Sequence, residues 1–177
     1  MPLDFSTFFS VWYWIALAGF WSALTHWTHG VPAGVMLRAA RDWHGSEGGE
    51  AAALCDAMTR DALARTAEGL RRRGAAAAAG GVFGLTVLGM AGLWAGWEPA
   101  AGVFAAALPA AVMAAAQWAE AARLAAAPPP PRELLRVLFR RRWINQIFAA
   151  GGIGLAVALF ALRHWDRLVF LGGWERF

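Results

Sequence analysis

Hydrophobic positions in this chain neither alternate nor recur at a helical period; they run together. Four stretches of about twenty residues stand out: 8–27 (FFSVWYWIALAGFWSALTHW), 75–97, 100–122 and 143–162. A helix of about 20 apolar residues covers the roughly 30 Å of hydrocarbon in a bilayer. Backbone polar groups in lipid must be bonded within their own segment, and no alternating strand pattern competes. The pattern therefore predicts one membrane domain spanning the whole chain, 1–177. Its fold class is all-α, an integral membrane bundle of four transmembrane helices. Tryptophans gather toward the ends of these runs (Trp12, Trp14, Trp27, Trp94, Trp97, Trp118, Trp143), as interfacial aromatic belts do.

The polar positions between the runs complete the layout. The loop 28–74 contains three acid-then-arginine pairs at spacing four, Asp56/Arg60, Asp61/Arg65 and Glu68/Arg72. Each supports a helix by roughly 0.2–0.5 kcal/mol. This segment is expected to form a cytoplasmic helical stalk between spans 1 and 2, with Gly69 and Gly74 as bends. In the loop 123–142, Pro128–Pro131 form a stiff spacer. The basic piece RELLRVLFRRR follows, and it is expected to lie on the anionic inner membrane surface, with Arg140, Arg141 and Arg142 touching lipid. These two loops and their edges hold 13 arginines, against three (Arg163, Arg167, Arg176) on the other side. The positive-inside rule then places both loops in the cytoplasm and both termini in the periplasm of a bacterial inner membrane. A secretory signal is not expected, because residues 1–7 carry no positive charge and the first apolar run is long and aromatic.

Composition agrees with this picture. Apolar residues make up 59% and charged residues 16%, against about 25% charged in ordinary soluble chains. Mean hydropathy is +0.43. All 16 basic residues are arginine, and with 41 alanines and 20 glycines this suggests GC-rich coding more than a functional choice. A net charge of +4, distributed as topology requires, argues against nucleic acid as a partner. Cys55 is the single cysteine, which excludes a disulfide scaffold.

Catalytic signatures are missing: no phosphate-cradling glycine loop, no serine nucleophile elbow, no paired-cysteine metal site. The expected partners are membrane lipids and other membrane subunits, and no cofactor or metal is assigned. Small residues recur at spacing four at Gly80, Gly84, Gly92 and Gly96, and again at Ala150, Gly154 and Ala158. Such rows let membrane helices approach closely, within the bundle or against a partner. His26, His29 and His44 could form a metal set with Asp42 or Cys55, but interfacial hydrogen bonding is the simpler role. With four crossings, His26 and His164 fall at opposite faces, which excludes a haem clamped between them. Depth along the helices gives a further candidate. Thr25 and His26, Gln117 and Glu120, and Asn145 and Gln146 all lie roughly 9–14 Å to the cytoplasmic side of their span midpoints. Polar groups at such depth face the bundle interior or a cavity. Two roles follow for them, interhelical hydrogen bonding with Glu120 paired to Arg123 or Arg142, or a pocket for a headgroup, a quinone ring or a partner side chain. Pro109 could bend the third span to open such a pocket.

The opening segment WYWIALAGFWSALTHWTHGVPAGVMLRAAR, from Trp12 to Arg41, resembles a family of small bacterial membrane proteins labelled as a component of the SUF iron–sulfur assembly complex. The likeness rests on the WYWIALA start, the His26–Trp27 pair, the GVP at Gly30–Pro32 and the Met36/Arg38/Arg41 spacing. It covers mainly the first quarter, with a matching span count afterwards, and implies a link to iron–sulfur assembly. Taken together, the sequence favours a non-catalytic accessory or assembly subunit of a larger membrane complex. The alternatives are a small subunit of a secondary transporter, an iron–sulfur adaptor, or a membrane-embedded carrier of a cofactor or quinone.

Overall fold

In a computed structural model, residues 11–45 and 48–164 are described; they are about 89% helical. The order is α1 (Val11–His26), a two-stranded hairpin β1 (Trp27–Thr28) and β2 (Val31–Pro32), α2 (Ala33–Gly45), α3 (Glu50–Gly89) ending in a π turn (Met90–Trp94), α4 (Glu98–Ala126) and α5 (Pro131–Arg163). Three helices are long and apolar enough to cross a membrane: α3 with its π turn, α4 and α5. They contain the stretches expected at 75–97, 100–122 and 143–162, except that 95–97 form the turn into α4. Of the stretch expected at 8–27, residues 8–10 lie outside the described residues, α1 takes 16, and Trp27 belongs to the hairpin.

Two expected breaks are absent. The segment at 50–74 and the span after it are one 40-residue helix, about 60 Å long. Gly69 and Gly74 lie within it without interrupting it. Each glycine costs about 1 kcal/mol relative to alanine in a helix. The surrounding Ala, Leu and Arg are strong helix formers, and all three acid–arginine pairs form. The basic piece likewise does not lie apart before a turn into the membrane. It is the first third of α5, continuous with the apolar part. One row of buried residues runs along that helix: Leu134, Leu138, Arg141, Asn145, Ala149, Gly152 and Ala156. Their spacings of three and four trace a single helical face.

These long helices create two interiors. Where α3, α4 and α5 are apolar, α1 packs on α5 around Leu17, Trp21, Ala105, Met113, Ala149 and Ala156. Trp21 packs against Gly152, where any Cβ would come closer than 3 Å to the indole ring. Beyond that, α2 folds back on the projecting ends of α3 and α5. Val31, Val35, Met36, Ala39, Ala52, Cys55 and Leu138 build a second core there. Asp42 of α2 accepts hydrogen bonds from the backbone N–H groups of Ala51 and Ala52, at 2.9 and 3.2 Å. It thereby satisfies the free donors at the start of α3, as a capping carboxylate does. Arg132 of α5 stacks over the Trp43 ring of α2 at 4.8 Å. Arg60 of α3 donates to the Pro129 carbonyl at 3.2 Å, which holds the proline spacer down. The result is a small helical cap at the arginine-rich end. Inside it, burial pushes the Cys55 thiol above its usual range; Asp56 adds to the rise and the Thr59 hydroxyl offsets part of it.

At the opposite end, the π turn and Gly92 bring α3 onto α4. A Cβ at Gly92 would lie 2.5 Å from the Ala101 nitrogen. The last carbonyls of a helix have no partner within it, and Arg163 of α5 donates to that of Gly92 in the π turn and to that of Gly96 just beyond it. A guanidinium at a helix C-terminus also complements the helix dipole.

Candidate functional site

Between the two interiors lies a buried polar cluster. Its position begins with the hairpin after α1. Thr28 pairs with Val31, so the loop is only His29–Gly30. Both have positive φ, 47° and 77°, the pair of angles that a type I′ hairpin turn requires. Histidine is one of the few non-glycine types that tolerates this region. Gly30 is also forced by space, since a Cβ there would sit 2.9 Å from the Ala62 Cβ on α3. The tight turn drives His29 inward, where its Nε2 is 3.1 Å from Glu120 Oε2 on α4.

Glu120 is the hub. Arg140 Nη2 donates to its Oε1 at 3.2 Å. Arg141 Nε lies 2.9 Å from Oε2, an ion-pair contact not aligned as a hydrogen bond. The side chains of Glu120, Arg141 and His29 are 7%, 6% and 4% exposed, so this carboxylate and one guanidinium are withdrawn from solvent together. Arg140 is 65% exposed and reaches in from outside. One turn along α4, Gln117 Nε2 donates to Asn145 Oδ1 at 3.1 Å. Asn145 is completely buried, and its Nδ2 has no partner among the described residues. Two rungs thus tie α4 to α5, and the first also ties both to the hairpin.

Of the six polar residues grouped by depth, Gln117 and Asn145 bond each other, and Glu120, one turn away on α4, is held by His29, Arg140 and Arg141 instead. Thr25 is buried but bonds its own helix, donating to the Trp21 carbonyl at 2.8 Å. His26 and Gln146 are exposed and do not join. Glu120 pairs with neither Arg123 nor Arg142 in the ion pairs observed. Arg141 does not face headgroups; the α5 face that buries Leu134, Leu138 and Asn145 carries it inside as well. Arg140 stays at the surface and Arg142 is half-buried. His29 belongs to the cluster; the sequence marks it only as a metal-set or interfacial histidine, and its pairing with Glu120 was not expected. The signal available was the His-Gly pair in THGV followed by Pro32, which reads as a tight turn.

The small-residue rows are also redistributed. Gly92 makes the close approach to α4, whereas a Cβ at Gly80, Gly84 or Gly154 would meet nothing within 4 Å. Gly96 falls beyond the π turn with φ 77° and serves the connection to α4. Ala150, Gly154 and Ala158 are exposed; the interior row, one or two positions earlier, is Ala149, Gly152 and Ala156. Among the described residues, no group of three or more His, Cys, Asp or Glu side chains comes together to hold a metal ion.

Open recesses lie along α3. One of about 290 Å³ lies beside His29, Gln117, Arg65 and Trp118, and another of about 310 Å³ continues along Leu70, Arg73 and Ala77. A third, about 590 Å³ and almost wholly apolar, runs along the outer face of α3 at Phe83, Val87, Met90 and Trp94. No family model, curated protein or solved structure matches this chain.

Proposed function

We propose that the protein is a non-catalytic accessory or assembly subunit of a larger complex in the bacterial inner membrane, with α1 as a fourth crossing beside the three long helices. In this reading the arginine-rich cap lies in the cytoplasm and both termini lie outside. The main support is how bare α3 is. In its most apolar 18-residue stretch only 6% of residues are buried, against 28% in α4 and 22% in α5. Val82, Phe83, Val87, Met90 and Trp94 face outward, and beside them Gly80 and Gly84 have open space above them. A helix that contributes so little to its own bundle, with small residues next to a groove, suits the close packing of a partner's membrane helix. The polar cluster supports the same reading, because Glu120 is already engaged by three partners and acts as a latch between elements, not as a free relay group.

The test is a photo-crosslinking residue at Val87 in the native membrane, combined with co-purification in mild detergent. A crosslinked protein band that disappears when Gly84→Leu fills the face supports the proposal. A chain that crosslinks only to lipid and purifies as a lone monomer refutes it. If the recovered partner belongs to the iron–sulfur assembly machinery, the link implied by the opening segment stands; any other partner removes it.

A further inference from the structure

The two recesses beside the polar cluster share Thr66 and Trp118 and so form one trough between α3 and α4. Its chemistry changes along its length. His29, Gln117 and Arg65 line one part, and Leu70, Ala77 and the Trp118 ring give the other an apolar floor, with Arg73 at its rim. Among the described residues, no acidic side chain lines either part. The acids nearby on α3 are already engaged: Glu68 holds both Arg71 and Arg72, and Asp61 holds Arg65. Arg73 has no acid three or four residues away on either side, its neighbours there being Gly69, Leu70, Ala76 and Ala77. It is also the last charge before the apolar half of α3, at the level where a membrane's headgroups would begin. The Arg65–Asp61 pair is 71% and 60% exposed. Such a pair contributes about 0–1 kcal/mol, so Arg65 can turn to a better anion at little cost.

We infer that this trough is a binding site for one anionic phospholipid. Its phosphodiester sits between Arg65 and Arg73, and the first carbons of an acyl chain lie along Leu70, Ala77 and Trp118. Guanidinium groups hold phosphate oxygens in a planar fork that a compact ammonium cannot match, and basic pockets between helices at the cytoplasmic face take acidic headgroups. Committing to a lipid rather than a free anion follows from the floor, which a soluble phosphate would leave bare. The inference requires only a membrane protein, and it holds whether or not a partner subunit covers the outer face of α3.

Full-length protein, purified and stripped of lipid in detergent, is titrated with phosphatidylglycerol, phosphatidylcholine or glycerol phosphate while thermal unfolding is followed. Phosphatidylglycerol should raise the midpoint, and the other two should not. The double variant Arg65→Gln/Arg73→Gln should bind phosphatidylglycerol about 30-fold more weakly while unfolding normally without lipid, because both side chains lie outside the packed cores. The variant Arg136→Gln, at an exposed arginine on α5, should leave the response intact. An equal response to phosphatidylcholine would overturn the inference, as would an equal response to glycerol phosphate or an undiminished response in the double variant.

Discussion

Glu120 offers the sharpest stability prediction. Replacing it by Met leaves Arg141, with a side chain 6% exposed, as a buried cation without its carboxylate. Removing one partner of a buried ion pair costs about 3–5 kcal/mol, mostly because the other charge stays buried and uncompensated. Arg141→Met is not the mirror image. Glu120 then keeps His29 at 3.1 Å and Arg140 at 3.2 Å, so the loss is that of one charged contact, about 1.5–3 kcal/mol. With both replaced by Met, no buried charge is stranded between α4 and α5. The double variant should therefore be more stable than Glu120→Met alone, with a coupling energy of at least about 1.5 kcal/mol. Unfolding in mixed micelles, followed by the fluorescence of the 11 tryptophans, measures all three. Equal costs for the two single changes, or costs that simply add in the double, would show that Glu120 is not the hub of this network.

Four other outcomes follow from the packing. Gly152→Ala should destabilise by about 1–3 kcal/mol because its Cβ would overlap the buried Trp21 ring, while Gly154→Ala, with open space above it, should stabilise by up to about 1 kcal/mol in the same unfolding assay. Gly30→Ala combines φ 77° with a 2.9 Å approach to Ala62 and should cost about 1–3 kcal/mol. His29→Asn should keep the turn, since asparagine also tolerates positive φ, but should weaken the link to Glu120; His29→Val should lose both, so a Val variant as stable as the Asn variant would contradict the turn assignment. Cys55, buried and with its thiol raised, has little thiolate at pH 8, so a maleimide should label it only on unfolding; rapid labelling of the native protein would place it elsewhere.

Much of this architecture can be read from the sequence, and what escapes does so for physical reasons. Runs of twenty apolar residues locate three long helices because lipid demands that length whatever the packing. Inside such helices the buried and lipid-facing sides are equally apolar, so no amphipathic pattern shows which face packs. That is why Ala150, Gly154 and Ala158 stand out in the sequence although Ala149, Gly152 and Ala156 are the ones inside. The burial of Arg141 becomes legible only when the basic piece and the following span are read as one helix, since the row through Leu134, Leu138 and Asn145 then includes it. Depth alone groups Gln117 with Asn145, which bond each other, and with Glu120, whose partners lie elsewhere. It also selects Thr25, His26 and Gln146, because depth carries no information about the direction in which a side chain points. The hairpin with His29 rests on two paired residues per strand, too short for any periodic signal, and only its turn chemistry marks it.

In the proposed topology these helices cross a bilayer with the arginine-rich cap on the cytoplasmic side. In a Cys55→Ala background, single cysteines at Ala64 on the exposed surface of α3 and at Trp97 in the turn before α4 test it directly with a membrane-impermeant maleimide. Position 97 should be labelled in intact spheroplasts and position 64 only in inverted vesicles. Labelling of both from one side, or of position 64 from outside, would contradict it.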